Sequence, residues 1–202
     1  MRHRFLSAGM AGTLLLTLAN PAQAEWITSW SAAPMPAMPA TGPFGPTPSF
    51  DNQTLRQTVR ISAGGDAVRI RLTNAYGQGP IEIGQARIVL VDPEGREIPG
   101  TSRLLTFGGS SAGSMAKAAP LLSDPVSLKA PPLSRMAISL YLPGKPGLCS
   151  CHAAGFDDLE ISEPGNFAAA PFKPATVLHQ RAFLASVEVD GPKDSGTIAI
   201  LG

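Results

Sequence analysis

Two alternating stretches around a pair of glycines constrain the fold of this chain most strongly. Apolar and polar side chains alternate over residues 55–61 and again over residues 68–73. A period of two is typical of a β-strand that buries one face. Gly64 and Gly65 lie between the stretches and can adopt positive φ, so the pattern predicts a β-hairpin.

The polar face of this predicted hairpin is basic. Its cationic side chains are those of Arg56, Arg60, Arg69 and Arg71. We expect a solvated sheet face here, and the alternatives are docking against a second domain or binding of an anionic polysaccharide.

Short strands and turn signals continue along the chain. Gly occurs 21 times and Pro 20 times without a repeat, which argues against long helices. Further strands are predicted at Ile81–Val91, Arg103–Phe107, Val126–Leu128, Met136–Leu142 and Phe183–Val189. The stretch from Pro143 to Pro174 has no period and is expected to be an ordered loop. The sequence therefore predicts an all-β fold, an antiparallel β-sandwich of jelly-roll type over residues 25–190.

The first 24 residues predict export. Arg2 and Arg4 precede an apolar run that ends near Ala19, and Ala22-Gln23-Ala24 follows. This order is typical of a signal peptide, here residues 1–24, cleaved after Ala24. The run is shorter than the roughly 20 residues that span a membrane. We expect a secreted or periplasmic protein without a membrane span, and its net charge of +1 gives no reason to expect nucleic acid as a partner.

Two tryptophans open the segment after the predicted cleavage site. Trp26 and Trp30 are four residues apart, so they share one face of a regular strand. Such a pair is typical of a platform that stacks against sugar rings, and an aromatic cap over the core or a domain interface is the alternative. A polysaccharide or acylated glycan is thus a candidate partner, and an autonomous carbohydrate-binding module is an alternative function.

Cys149 and Cys151 are the two cysteines of the chain. In an exported protein a disulfide between them is expected. A metal site that adds His152 is an alternative, as are free thiols or pairing outside the chain. Cys149, Cys151 and His152 are so close in sequence that they could hardly occupy three corners of a tetrahedron around one metal ion, and no fourth ligand is evident. No cofactor is therefore predicted.

The segment Gly109–Gly113 fits Gly-x-Ser-x-Gly, the turn that carries a nucleophilic serine in α/β-hydrolases. With Asp157 and His179 downstream, Ser111 would complete a serine, aspartate and histidine order, so a small serine esterase is a further alternative. A helix must follow the serine in that motif, but Ser114–Pro120 is short and ends in proline. We therefore expect a flexible hairpin loop, and structural roles for the histidines.

Six segments of the chain resemble, in order and approximate spacing, the N-terminal β-domain of secreted SGNH/GDSL-type hydrolases, a family of esterases and lipases. These segments are Asn52–Gln57, Val68–Gly77, Leu105–Gly109, Ser123–Val126, Cys151–His152 and Pro164–Phe167. The resemblance implies a non-catalytic β-sandwich domain of a secreted carboxyl-ester hydrolase.

The last residues of the chain resemble the start of the catalytic domain in this family. Thr197–Leu201 is a continuous apolar run, typical of a strand buried on both faces of a parallel sheet. In the family this strand leads into Gly-Asp-Ser, the block that carries the nucleophilic serine, and Gly202 matches its first glycine. The resemblance implies that residues 191–202 are a linker and the first strand of an α/β SGNH domain. It also implies a missing C-terminal catalytic domain as the partner, and no esterase activity in this chain alone.

Overall fold

A computed structural model describes residues 25–39, 41 and 45–191 of the chain. The predicted signal peptide lies outside these residues. So do residues 192–202, which include the predicted parallel strand and Gly202.

The described part contains strands and turns but no helix. The strands of the first half are β1 (Trp26–Ser31), β2 (Gln53–Arg60), β3 (Gly65–Thr73), β4 (Ile81–Ile83), β5 (Gln85–Val91), β6 (Arg103–Leu105) and β7 (Gly113–Met115). The remaining strands are β8 (Pro120–Leu122), β9 (Val126–Ala130), β10 (Arg135–Leu142), β11 (Cys151–His152), β12 (Leu159–Pro164), β13 (Thr176–Leu178), β14 (Arg181–Ala182) and β15 (Leu184–Asp190).

Two antiparallel sheets form the body of the molecule. The five-stranded sheet has the order β1-β15-β3-β8, and β9 pairs with the other half of β3. The six-stranded sheet has the order β13-β12-β2-β10-β5-β6. Two short ribbons, β4 with β7 and β11 with β14, complete the fold. Both sheets bury apolar side chains in one shared core, which confirms the all-β antiparallel sandwich. Its jelly-roll connectivity stays a prediction.

The two alternating stretches form strands with the predicted faces. Leu55 and Val59 in β2 and Ile70 and Leu72 in β3 are fully buried, whereas the arginines between them point away from the core. The alternation arises because each sheet has one face in the core and one face outside it.

The predicted hairpin between these strands is wrong. Strand β2 pairs with β10 and β12, whereas β3 pairs with β15, β8 and β9. The chain therefore crosses from one sheet to the other between Arg60 and Gly65. The glycines allow close approach of neighbouring backbone, since a Cβ on Gly64 would lie 2.5 Å from the carbonyl oxygen of Ala130.

The basic stripe predicted for the hairpin is consequently divided. Arg56 and Arg60 lie on the outer face of the six-stranded sheet, and Arg69 and Arg71 lie on the outer face of the five-stranded sheet. The four guanidinium groups do not form one surface.

Two other boundaries differ from the prediction. The stretch from Ile81 to Val91 is two strands, because β4 pairs with β7 whereas β5 pairs with β10 and β6. Within the predicted loop from Pro143 to Pro174, β12 forms a full strand between β2 and β13.

Candidate functional site

The two tryptophans of β1 do not form a platform. A bulge at Ser29 interrupts the pairing, so that Trp26 lies opposite Asp190 and Trp30 lies opposite Val187 of β15. Asp190 and Val187 are three residues apart and therefore point to opposite faces. Trp30 packs against the core, while Trp26 lies on the outer face. The prediction that both rings share one face is wrong, and the sugar-binding pair predicted from it is not assembled.

Trp26 belongs instead to a closed ionic cluster on the outer face of the five-stranded sheet. The guanidinium of Arg69 lies 4.2 Å from the centre of the Trp26 ring, and its Nε donates to Oε2 of Glu188 at 2.7 Å. Arg71 donates to Oε1 of the same carboxylate at 3.2 Å. Burial raises the pKa of Glu188, but the hydrogen bond from Arg69 and the charges of both arginines outweigh it and hold the pKa below its ordinary value.

The cysteines form a disulfide between Cys149 and Cys151, whose Cα atoms are 5.2 Å apart. Both half-cystines are buried, and the hydroxyl of Ser150 between them accepts a hydrogen bond from the backbone N–H of Tyr76 at 2.9 Å. The described residues contain no cluster of three or more His, Cys, Asp or Glu side chains placed to hold a metal ion.

The Gly-x-Ser-x-Gly segment is a hairpin turn followed by β7. Backbone hydrogen bonds join Phe107 and Ser110 in both directions, at 2.7 and 3.2 Å, and Gly109 has a φ of 83°. At the other end, a Cβ on Gly113 would lie 2.8 Å from the ring of Phe107. The local backbone geometry therefore explains why both positions of the motif are glycine. The segment after Ser111 is a strand, whereas the turn that carries a nucleophilic serine is followed by a helix.

The serine, aspartate and histidine of the esterase alternative lie apart. Ser111 follows β6 and His179 follows β13, and these strands are opposite edges of one sheet, about 24 Å apart at ordinary strand spacing. Nδ1 of His179 lies 3.2 Å from a carboxylate oxygen of Asp158, not of Asp157. His152 is held elsewhere, with Nδ1 2.9 Å from the carbonyl oxygen of Ala33. The structure does not assemble this triad.

A groove crosses the outer face of the six-stranded sheet. It has a volume of about 410 Å³ and is called the Phe156 groove below. Its floor includes Arg56 and Thr58 of β2, Ala137 of β10 and Glu160 of β12. The turn after β5 borders it on one side, and the loop before β12 together with Phe172 borders it on the other.

The loop before β12 presents Phe156 entirely to solvent, with a relative exposure of 106%. The residues on both sides of this ring are fixed. Gly155 donates its backbone N–H to the carbonyl oxygen of His179 at 2.7 Å. Asp157 accepts from Arg135 at 2.6 Å and lies 3.6 Å from Arg181, which is 4% exposed as a side chain. The exposed phenyl ring therefore stands on an anchored loop.

The two charged residues of the groove floor, Arg56 and Glu160, differ in the hydrogen bonds that their side chains make. Arg56 donates to the hydroxyl of Ser139 at 3.1 Å and to the carbonyl oxygen of Ala170 at 3.0 Å, and its guanidinium lies 4.7 Å from the centre of the Phe172 ring. Glu160 is paired with Arg56 in the strand register but makes no side-chain hydrogen bond with a described residue.

Burial raises the pKa of Glu160. The charge of Arg56 opposes this rise, and the charge of Asp158 adds to it. The groove thus contains a half-buried carboxylate that lacks a donor.

Little in the sequence predicts this groove. Phe156 stands in a stretch without period, and a single aromatic residue is more often buried than exposed. Arg56 and Arg135 lie on strands that are distant in sequence and adjacent only after β10 pairs with β2. The sequence Phe156-Asp157-Asp158 before a short apolar strand is the one signal that points to an exposed acidic loop.

Comparisons with known proteins do not identify the chain. No protein-family model matches it, and no curated protein matches it. None of the described residues form a helix that could cross a membrane.

Proposed function

We propose that the described β-sandwich is the non-catalytic N-terminal domain of a secreted carboxyl-ester hydrolase of the SGNH/GDSL type. The observation that carries the proposal is that four of the six segments that resemble the family are hydrogen-bonded in two pairs, and a fifth is hydrogen-bonded to Ser150, next to the sixth. A chance likeness would be scattered over unrelated parts of the surface.

The first pair joins Asn52–Gln57 to Pro164–Phe167. The hydroxyl of Thr54 donates to the carbonyl oxygen of Gly165 at 2.9 Å and accepts from the backbone N–H of Phe167 at 2.8 Å. Asn52 has a φ of 53°, a conformation that asparagine adopts more readily than most residues. These residues fix the entry into β2 against the end of β12.

The second pair joins Leu105–Gly109 to Ser123–Val126. The carboxylate of Asp124 accepts from the hydroxyl of Thr106 at 2.7 Å and from the backbone N–H groups of Gly108 and Gly109 at 3.1 and 2.7 Å. The hydrogen bond from Thr106, followed by those from the glycines, lowers the pKa of Asp124. Aspartate and glycine are the residue types that this capped turn requires.

The fifth segment, Val68–Gly77, is hydrogen-bonded to Ser150 of the disulfide loop, which precedes the sixth segment, Cys151–His152. Tyr76 bonds to Ser150 as described above, and the side-chain amide of Asn74 donates to the carbonyl oxygens of Gly79, Met115 and Ala116 at 2.9 to 3.2 Å. The resembling residues are therefore polar links that hold one sandwich together. Such a set supports an accessory domain, because these residues have structural roles and the nucleophile would lie on another domain.

The coding sequence downstream of Gly202 tests the proposal. We expect Asp-Ser to follow Gly202 directly, and we expect the protein extended through that domain to hydrolyse p-nitrophenyl acetate. Alanine in place of that serine should abolish the activity, and the 202-residue chain should match a blank. Absence of Asp-Ser would refute the proposal. Esterase turnover by the 202-residue chain that is lost in Ser111→Ala would refute it in favour of the small esterase.

A further inference from the structure

We propose that the Phe156 groove binds a neutral glycan chain, with the ring of Phe156 stacked on a sugar ring and Glu160 accepting hydrogen bonds from sugar hydroxyls. This inference does not rest on the proposed function, because it concerns the sandwich alone.

The anchored loop is the first reason to expect a ligand. A phenyl ring in water loses the stabilisation that burial provides, and a mobile loop could fold it back onto the surface. Here Gly155 and Asp158 contact His179, which follows β13, and Asp157 pairs with Arg135 of β10, so the ring stays outside. A ring that is held in solvent beside a groove is arranged in advance to meet a partner, which lowers the entropy lost on binding.

Glu160 is the second reason. Its carboxylate is half-buried on the groove floor, and no described residue donates a hydrogen bond to it. Partial burial removes part of the hydration of this carboxylate, and a hydroxyl donated by a ligand would replace it. Arg56 cannot turn to serve it without losing its bonds to Ser139 and Ala170.

The chemistry of the groove fits a sugar better than an anionic ligand. A pyranose ring has an apolar C–H face that suits an aromatic ring, and its rim of hydroxyls both donates and accepts. The groove is acidic, since two arginines and five carboxylates line it, Glu94, Glu97, Asp157, Asp158 and Glu160. A polyanion would therefore meet groups of its own sign, whereas sugar hydroxyls can donate to these carboxylates.

A docked protein domain fits the groove less well. A stable protein interface buries about 800 Å² on each partner around an apolar centre. The Phe156 groove offers one fully exposed ring among charged side chains, which is enough for one sugar ring and too little apolar surface for an interface centre.

Calorimetric titration of the full chain with hexasaccharides of cellulose, xylan and mannan tests the proposal. We expect at least one of them to bind. Phe156→Ala should weaken that binding about tenfold, or about 1.4 kcal/mol, and Phe156→Tyr should retain it. Tyr76→Ala is the matched control, because Tyr76 is an exposed aromatic residue outside the groove, and it should bind as the wild type does.

A second pair of variants tests the carboxylate. Glu160→Ala should weaken binding, whereas Glu160→Gln should restore most of it because the amide oxygen still accepts a hydrogen bond. Melting temperatures of all variants should match the wild type, so that a loss of binding reports the groove and not the fold.

Three results would overturn the inference. One is that none of these sugars binds at concentrations up to about 10 mM, which would mean an affinity weaker than that of ordinary weak ligands. Another is equal binding by Phe156→Ala and the wild type. The third is binding only of charged polymers such as polygalacturonate or chitosan.

Discussion

The outer faces of the two sheets each place a glutamate beside arginine, and the two carboxylates are in opposite states. Glu188 on the five-stranded sheet is 5% exposed and accepts from Arg69 and Arg71, and its pKa is lowered. Glu160 on the six-stranded sheet faces Arg56 without a hydrogen bond, and its pKa is raised. An arginine at the paired strand position is therefore not sufficient to give a carboxylate a hydrogen bond.

The difference lies in what else holds the arginine. Arg69 and Arg71 extend from one strand toward Glu188 on the next, so both guanidinium groups reach its carboxylate. Arg56 is turned to Ser139 and Ala170 and stacked on Phe172. On the five-stranded sheet the charged groups pair with each other and stabilise the fold. On the six-stranded sheet the carboxylate of Glu160 is left as an acceptor that a ligand can use.

The largest expected effect concerns the inner faces, where the two sheets should behave alike. Val59→Asp in β2 and Ile70→Asp in β3 should each unfold the domain, because both side chains are fully buried and an unpaired buried carboxylate costs several kcal/mol. Thermal melts decide the outcome, with Lys129→Asp on the exposed side of β9 as the control. A folded Ile70→Asp variant would mean that β3 does not face the core.

The next effect separates the outer faces. Glu188→Gln should lower the free energy of unfolding by about 2 kcal/mol, since it leaves two arginines without their counter-charge at a nearly buried site. Glu160→Gln should change it by less than about 0.5 kcal/mol. Urea titrations of both variants measure the contrast, and equal losses would show that the two carboxylates are not in different states.

A smaller effect concerns the arginines. Arg69→Ala should cost about 1 kcal/mol, because Arg69 both pairs with Glu188 and stacks on Trp26. Arg60→Ala should cost less than about 0.5 kcal/mol, since Arg60 is exposed and donates only to the carbonyl oxygen of Leu133 at 3.2 Å. The sequence alone predicted the same solvated role for both, so equal unfolding midpoints would favour that simpler view.

The smallest effect is in the pH dependence of stability. Because the pKa of Glu160 is raised on folding, its cost appears as the pH rises above the ordinary value of 4.5 and is complete above the raised value. Relative to the wild type, Glu160→Gln should therefore be slightly more stable at pH 7 than at pH 4, by less than about 0.5 kcal/mol because solvent screens the half-exposed carboxyl.

Glu188 should show the opposite trend. Its lowered pKa stabilises the wild type above the ordinary value of 4.5, and that contribution is lost as the pH falls through the lowered value. Glu188→Gln should thus approach the wild type at low pH. Paired urea titrations at both pH values measure the two slopes, and slopes of the same sign would contradict the comparison.

The faces of the strands were predictable from sequence, and their partners were not. Side chains alternate in β2 and β3 because each strand buries one face, and this pattern is the same whichever strands they pair with. Gly64 and Gly65 fit a hairpin turn equally well as a crossing between sheets, and only the backbone of Ala130 and Asp190 close to them decides between the two.

The candidate site was not predictable for related reasons. The bulge at Ser29 leaves no mark in the sequence, yet it places Trp26 and Trp30 on opposite faces. The exposure of Phe156 depends on Arg135 and Arg181, which hold the loop from other strands. The disulfide, in contrast, was predictable, because Cys149 and Cys151 are only two residues apart, and the structure joins them.

The pairing order also determines when this molecule can fold. Leu55 of β2 lies opposite Leu140 and Ile161, and β1 pairs with β15, so both sheets need strands from the far end of the chain. Contacts this distant slow folding, since each closes a long loop before it contributes stability. A growing chain therefore leaves one edge of β2 unpaired until β12 is made and one edge of β3 unpaired until β15 is made, and during that interval neighbouring copies compete for the same edges.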